Sequence, residues 1–211
     1  MGSKTGLCGV ILSAGASSRM GTEKALLPWP PNAGAGQTLL SAQIESLKPF
    51  AESVIVVGGR NYDVIAPIAI GHGASVVQNP EPERGQFSSL QIGLRELIAL
   101  GYEAAIITLV DAPPLSSNSL EKLRSAFEQA LAGGKLAVAP EHDGKRGHPL
   151  FASRNLIEAF LAAPPTSDAR TVRREHAQFL VSLPVTDVLL AVDVNTPEQY
   201  RALAPREKTD R

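Results

Sequence analysis

The chain has 211 residues, 44% of them hydrophobic and 19% charged, with a net charge of −1 and a single cysteine, Cys8. A chain of this length can bury a sizeable core. It carries no sustained basic tract for duplex nucleic acid, no second thiol for an internal disulfide and no apolar segment of the roughly 18 residues a membrane span needs. The N-terminus lacks the charged, apolar and small-residue pattern of a secretory leader, so a reducing, cytoplasmic setting is expected, with solvated ends at 1–5 and 205–211.

In chain order, short apolar runs alternate with amphipathic stretches. Residues 7–12 (LCGVIL) predict a strand, 38–47 a helix, 53–57 (SVIVV) a strand, 62–68 a helix and 75–78 (SVVQ) a strand. A helix over 88–100, a strand over 104–110 (AAIITLV), a helix over 117–131 and a strand over 136–139 (LAVA) follow. Helices over 154–161 and 197–203 flank a last apolar strand at 189–192 (LLAV). Continuous rather than alternating apolar runs indicate strands covered on both faces. Ser116 or Ser117 suits the N-cap of its helix, and Thr196 before Pro197 gives a cap followed by proline at the first helical position. The β-α repeat implies a doubly wound α/β fold in three α/β/α layers, with a mostly parallel sheet. In such sheets ligands bind at the C-terminal strand ends. The chain reads as a single domain over 1–211. The polar stretch from Glu141 to Pro149 breaks the pattern and predicts a hairpin or lid over 141–151.

The first strand runs into Ser13-Ala14-Gly15-Ala16-Ser17-Ser18-Arg19-Met20-Gly21-Thr22-Glu23-Lys24. Small residues let backbone N–H groups approach phosphate oxygens, and Arg19 and Lys24 add two cations within reach. The spacing is neither a Walker A loop nor G-x-G-x-x-G. An ordinary Gly/Ser turn with two solvated cations is the alternative on composition alone.

From Leu12 through Gly21, and on to Lys24 and Leu26-Leu27-Pro28-Trp29, the segment resembles L-A-A-G-x-S-x-R-M-G-x-x-K-x-L-L, the NTP-binding signature of the MobA-like NTP transferases of molybdenum-cofactor synthesis. Further matches follow in order: Asn79-Pro80, the run GQFSSLQIGL over 85–94, Asp111-Ala112-Pro113, Arg146-Gly147-His148-Pro149 and Asp193-Val194-Asn195-Thr196-Pro197. The resemblance spans nearly the whole chain. It implies the Rossmann-like nucleotidyltransferase fold and a nucleotide site made by Leu12, Ser13, Ala14, Gly15, Arg19, Lys24, Asn79, Ser88 and Ser89. Two positions depart from the pattern: Ser13 stands where Ala is usual, and Glu23 where Pro is common.

Asp111 ends an apolar run, so its carboxylate falls at the C-terminal sheet edge, where it can hold Mg²⁺ bridging NTP phosphates; capping the next helix is the other use of such an Asp. The resemblance places a second metal ligand at Asp193 or Asn195, with charge favouring Asp193. Ser88 and Ser89 match the segment near the base and ribose, and also suit a helix N-terminus. Ala14-Gly15, rather than Gly-Gly, resembles the cytidylyltransferases, closest to molybdenum cofactor cytidylyltransferase. A methyl there narrows a purine-sized slot, an effect of about 1–3 kcal/mol. Arg146, Gly147 and His148 resemble the acceptor-side motif, as do Asp168 and Arg170. The implied reaction is CMP transfer from CTP to the phosphate of molybdopterin, with Arg19, Lys24 and Asp111 as catalytic residues and a molybdoenzyme as a transient partner. The rival readings are another phosphorylated acceptor (a sugar 1-phosphate or methylerythritol phosphate), a guanylyltransferase, and a non-catalytic carrier of finished cofactor.

Overall fold

Uninterrupted runs of branched aliphatics form strands that both faces of a sheet can bury. The computed structural model, which describes residues 4–17, 19–31 and 36–204, is organised around such runs. Four strands, β1 (Lys4–Ser13), β2 (Ser53–Gly58), β3 (Ser75–Gln78) and β4 (Tyr102–Leu109), are parallel and lie in the order β3-β2-β1-β4. The sheet then continues through β7 (Leu150–Ser153), β5 (Ala137–His142) and β6 (Lys145–Arg146), with β8 (Leu180–Pro184) parallel to β5. β7 is antiparallel to both β4 and β5, and β6 is antiparallel to β5, which makes the eight-stranded sheet mixed but mostly parallel.

Helices cover both faces. α1 (Leu39–Leu47), α2 (Tyr62–Gly71) and α4 (Ser117–Ala132) pack on the side where β1 presents Ile11. α3 (Gln86–Ala99), α5 (Arg154–Ala162) and α6 (Ala169–Glu175) pack on the side where β1 presents Val10 and Leu12. α7 (Pro197–Ala202) closes the described chain. This is the three-layer, doubly wound, Rossmann-like α/β/α fold. Phe127 meets Phe151 at a tilt of 50° in one layer with ring centroids 5.8 Å apart, and Phe87 meets Phe160 edge-on at 6.4 Å in the other. α3 lies tight against the sheet because Gly93 has no side chain: a Cβ there would come within 2.8 Å of Val10 and Val57. Among the described residues no helix is long and apolar enough to cross a membrane.

Several boundaries and elements differ from the sequence reading. Residues 189–192 do not form a strand: Val188–Ala191 is a 3-10 helix, since a four-residue apolar run fits either geometry and its neighbours decide. β7, β8 and α6 have no counterpart among the expected elements, while β6 pairs with β5 within the stretch 141–151 expected as a hairpin or lid. Lys4 and Thr5 already belong to β1 rather than to a free end, and the expected ends at 1–3 and 205–211 lie outside the described residues, as does Ser18. The expected caps form: Ser116 accepts from Ser119 N–H, and Thr196 forms a capping box with Gln199.

Candidate functional site

β1 delivers the loop to the C-terminal edge of the sheet, between β2 and β4. Asn61 braces it, donating to the Ser13 carbonyl at 2.8 Å and accepting from Gly59 N–H at 2.9 Å. The loop folds back on itself around Glu23, whose carboxylate accepts from Ser17 Oγ at 3.3 Å and from Ala25 N–H at 3.4 Å. That carboxylate caps the 3-10 turn Lys24–Leu26. Lys24 is buried, so its ammonium has a fixed direction.

Four residues expected from three separate motifs meet there. Lys24 Nζ donates to Asp111 Oδ2 and to Asn195 Oδ1, both at 2.9 Å, and Arg19 donates to the same Asn195 oxygen at 3.2 Å. The two acceptors are also tied through the backbone, because Val194 N–H donates to the Asp111 carbonyl at 2.8 Å. Val194 itself is buried against Met20, Leu27 and Leu39, so Asp193 and Asn195 flank a fixed point. Asn195 joins the lysine, whereas Asp193 lines a neighbouring cavity with Arg146, His148 and Arg173. On the far side, the buried amide of Gln43 on α1 donates to the carbonyls of Leu109 and Ala112 and holds the Asp111 turn.

The donors around Lys24 are oxygens, one carboxylate and one carboxamide, which suit a hard divalent ion such as Mg²⁺ or Mn²⁺. They already hold a cation, the Lys24 ammonium. Among the described residues there is no group of three or more His, Cys, Asp or Glu that could hold a metal. A six-coordinate ion at this place would draw most of its ligands from elsewhere, as an ion riding on substrate phosphates does.

On one side of this cluster Leu12, Ala14, Gly15, Pro82, Gly85, Gln86 and Ser89 enclose a narrow slot of about 90 Å³. Asn79 is buried beneath it and donates to Ser88 Oγ and Ser89 Oγ, each at 2.9 Å. α3 starts two residues earlier than expected, with Gly85 as its N-cap, so the serines sit in its first turn and do not cap it.

On the other side are two adjoining cavities of about 380 and 320 Å³ that share Leu109, His148, Arg170 and Arg173. The larger has an apolar floor of Phe87, Leu90, Ile107, Leu150 and Phe160. The smaller is walled by Lys145, Arg146, Gly147 and Asp193. Burial holds the His148 imidazole below its ordinary pKa, opposed by a hydrogen bond to the Ile107 backbone, and its Nδ1 has no partner among the described residues. Asp168 lines the larger cavity, but its carboxylate accepts from Thr171 N–H at 2.7 Å and caps α6; that bond holds its pKa down. Arg146 donates to Ser182 Oγ at 2.6 Å, and Arg170 is exposed. Asn61, Gln43 and Arg173 were not singled out from the sequence: each acts through a neighbour distant in the chain, and none sits in a recognisable run.

Residues 9–179 match the MobA-like NTP transferase domain. The probable molybdenum cofactor guanylyltransferase of Rhodopirellula baltica is 29% identical over 181 residues, 86% of this chain and 80% of that protein. The molybdenum cofactor cytidylyltransferase of Escherichia coli K12 is 25% identical over 192 residues, 90% of this chain and 92% of that protein. Among solved structures, Rv0371c of Mycobacterium tuberculosis H37Rv in complex with manganese superposes with a TM-score of 0.71 at 21% identity, covering 94% of this chain and 98% of that one.

Proposed function

The chain belongs to the MobA-like NTP transferase family, and from that membership we propose that it transfers CMP from CTP to the phosphate of molybdopterin, releasing pyrophosphate. It is a nucleotidyltransferase, and the relatives named for molybdenum-cofactor nucleotidyl transfer cover most of its length. One observation carries the finer reading. Lys24, Arg19, Asp111 and Asn195 form one bonded cluster between a slot narrow enough for a single base and a cavity rimmed by cations.

In the proposed reaction an acceptor phosphate oxygen attacks the α-phosphorus in line, a new P–O bond forms, and the bond to pyrophosphate breaks. The attacking phosphate is ionised near neutral pH, so no general base is needed. Positioning and charge neutralisation supply the catalysis. Lys24 and Arg19 take the phosphate charge, while Ala14 and Gly15 leave room for the backbone to approach it. Asp111, with Asp193 or Asn195, would hold Mg²⁺, which supplies Lewis-acid polarisation of the α-phosphate when bound; the manganese in the M. tuberculosis structure supports an ion of this kind. Ala14 in the wall of the slot supports a pyrimidine, hence CTP. The R. baltica relative, named as a guanylyltransferase, keeps GTP as the second reading. The β5–β6 turn, with Lys145 and Arg146 on the cavity wall, is proposed as a lid over the acceptor in a single domain. The one cysteine, buried in β1, fits a cytoplasmic setting.

The test is pyrophosphate release with Mg²⁺ or Mn²⁺, each of the four NTPs, and molybdopterin or Mo-molybdopterin. Release with CTP alone is expected. Release with GTP alone moves the assignment to guanylyl transfer, and CTP binding without release from any NTP favours the carrier reading or another acceptor.

A further inference from the structure

The cavity beyond the nucleotide loop gathers three arginines against a single lining carboxylate, Asp193. Arg146, Arg170 and Arg173 line the same wall, and among the described residues none of them forms a salt bridge. The nearby carboxylates leave them in excess: Asp168 caps α6, and Asp193, the one carboxylate lining the cavity with them, forms no salt bridge to any of the three. Arg84, on the rim of the larger cavity, is already paired with Glu81 at 2.8 Å.

The three unpaired arginines are not equivalent. Arg146 and Arg170 are exposed, and Arg146 is drawn aside to Ser182. Arg173 is half-buried on the wall shared by both cavities, and its neighbour Val172 is locked into the core, which fixes the stretch of α6 that carries it. Burial and the charges of Arg146 and Arg170 all act against its protonated form. A desolvated cation facing two like charges is costly in the free protein. Such a placement is stable in use when an anion completes it, and the planar guanidinium fork matches two phosphate oxygens at once.

We infer that Arg173 is the residue that selects a phosphorylated acceptor, its guanidinium holding the acceptor's phosphate group in this cavity while the apolar floor of Phe87, Leu90 and Phe160 takes the organic part. The inference rests on the nucleotidyltransferase reading for the identity of the bound group as acceptor, and it adds a determinant that none of the sequence motifs contains.

The experiment uses the whole chain, Arg173→Leu and Arg173→Lys. Two quantities are measured: thermal unfolding in phosphate-free buffer, and calorimetric binding of inorganic phosphate to protein saturated with CTP and Mg²⁺. Arg173→Leu removes the half-buried charge, so the free variant is expected to melt about 1–3 °C higher than wild type. The same variant is expected to bind phosphate about tenfold or more weakly, with Arg173→Lys between the two. Undiminished phosphate binding by Arg173→Leu overturns the proposal. So does a lowered melting temperature, which would make the arginine a structural support, and so does a wild type that binds no phosphate. Failure of the wild type to bind CTP counts instead against the nucleotidyltransferase reading; phosphate titrated onto the CTP-free proteins then still compares Arg173 with its variants.

Discussion

Lys24 Nζ lies 2.9 Å from Asp111 Oδ2 across 87 positions of sequence, and the same nitrogen reaches Asn195 Oδ1 at 2.9 Å. The ammonium therefore sits between two oxygens proposed to hold a divalent ion. In the free protein the lysine would compete with such an ion for them. A triphosphate, by drawing the lysine onto its own oxygens, would release the pair for the ion.

Replacing Lys24 by Met is therefore expected to have opposite effects on two measurements. Turnover should fall by roughly 10²–10³, as for loss of a group that stabilises developing charge. Binding of Mn²⁺ to the nucleotide-free protein, followed by electron paramagnetic resonance, should tighten, because the competing cation is gone. Asp111→Ala should abolish both turnover and Mn²⁺ binding. Weaker or unchanged Mn²⁺ binding in Lys24→Met would show that these oxygens do not take the metal.

How much of this was legible beforehand follows from how local each signal is. β1 to β5 are apolar runs long enough to identify themselves, and Asp111 and the Arg19–Lys24 loop lie at the strand ends where a doubly wound fold concentrates its chemistry. β8 is hidden because LVSLP mixes a serine and a proline into five residues, four of them only half-buried and the last exposed. α6 buries Val172 alone, so it has no helical stripe to detect. Arg173 rides on that helix, and its significance comes from Arg146, carried by strand β6. Asn195 was the less favoured of two candidates on charge; the contact with Lys24 depends on which way the chain leaves Val194, and the spacing of residues does not encode that.

Gly59 follows β2 and underlies the nucleotide loop. A Cβ on it would approach the Ala14 carbonyl oxygen to 2.8 Å and the Cβ atoms of Ala14 and Pro82 to 3.1 Å. The first contact is with backbone, which cannot rotate away, so Gly59→Ala must displace the loop and the wall of the slot together. A misplacement of this size should lower kcat/KM for the nucleotide by on the order of 10²-fold while the far-ultraviolet circular dichroism stays native. Unaltered steady-state kinetics would show that the loop yields at no cost.

Ser13 is 1% exposed, and its Oγ has no hydrogen-bond partner among the described residues. A buried unpaired hydroxyl is destabilising, and alanine, usual in the matching family signature, removes it without adding bulk. Ser13→Ala should gain about 1 kcal/mol in urea unfolding and raise the melting temperature by about 2–4 °C. A loss of stability in either measurement would mean that an ordered water or a neighbouring group satisfies this hydroxyl in solution.

His148 offers a pH test with a definite sign. Its pKa is lowered from 6.5, chiefly by burial, so between 6.5 and the lower folded value the unfolded chain binds a proton that the folded chain does not. Stability from this group is therefore complete above pH 6.5 and is lost progressively as pH falls through the folded pKa. Urea unfolding at a series of pH values from neutral downward should show that decline in the wild type and a shallower one in His148→Gln, which keeps a polar side chain but does not titrate. Parallel curves for the two proteins would mean that the imidazole stays solvated enough to titrate normally. The burial assigned to it in the wall shared by the two cavities would then have to be given up.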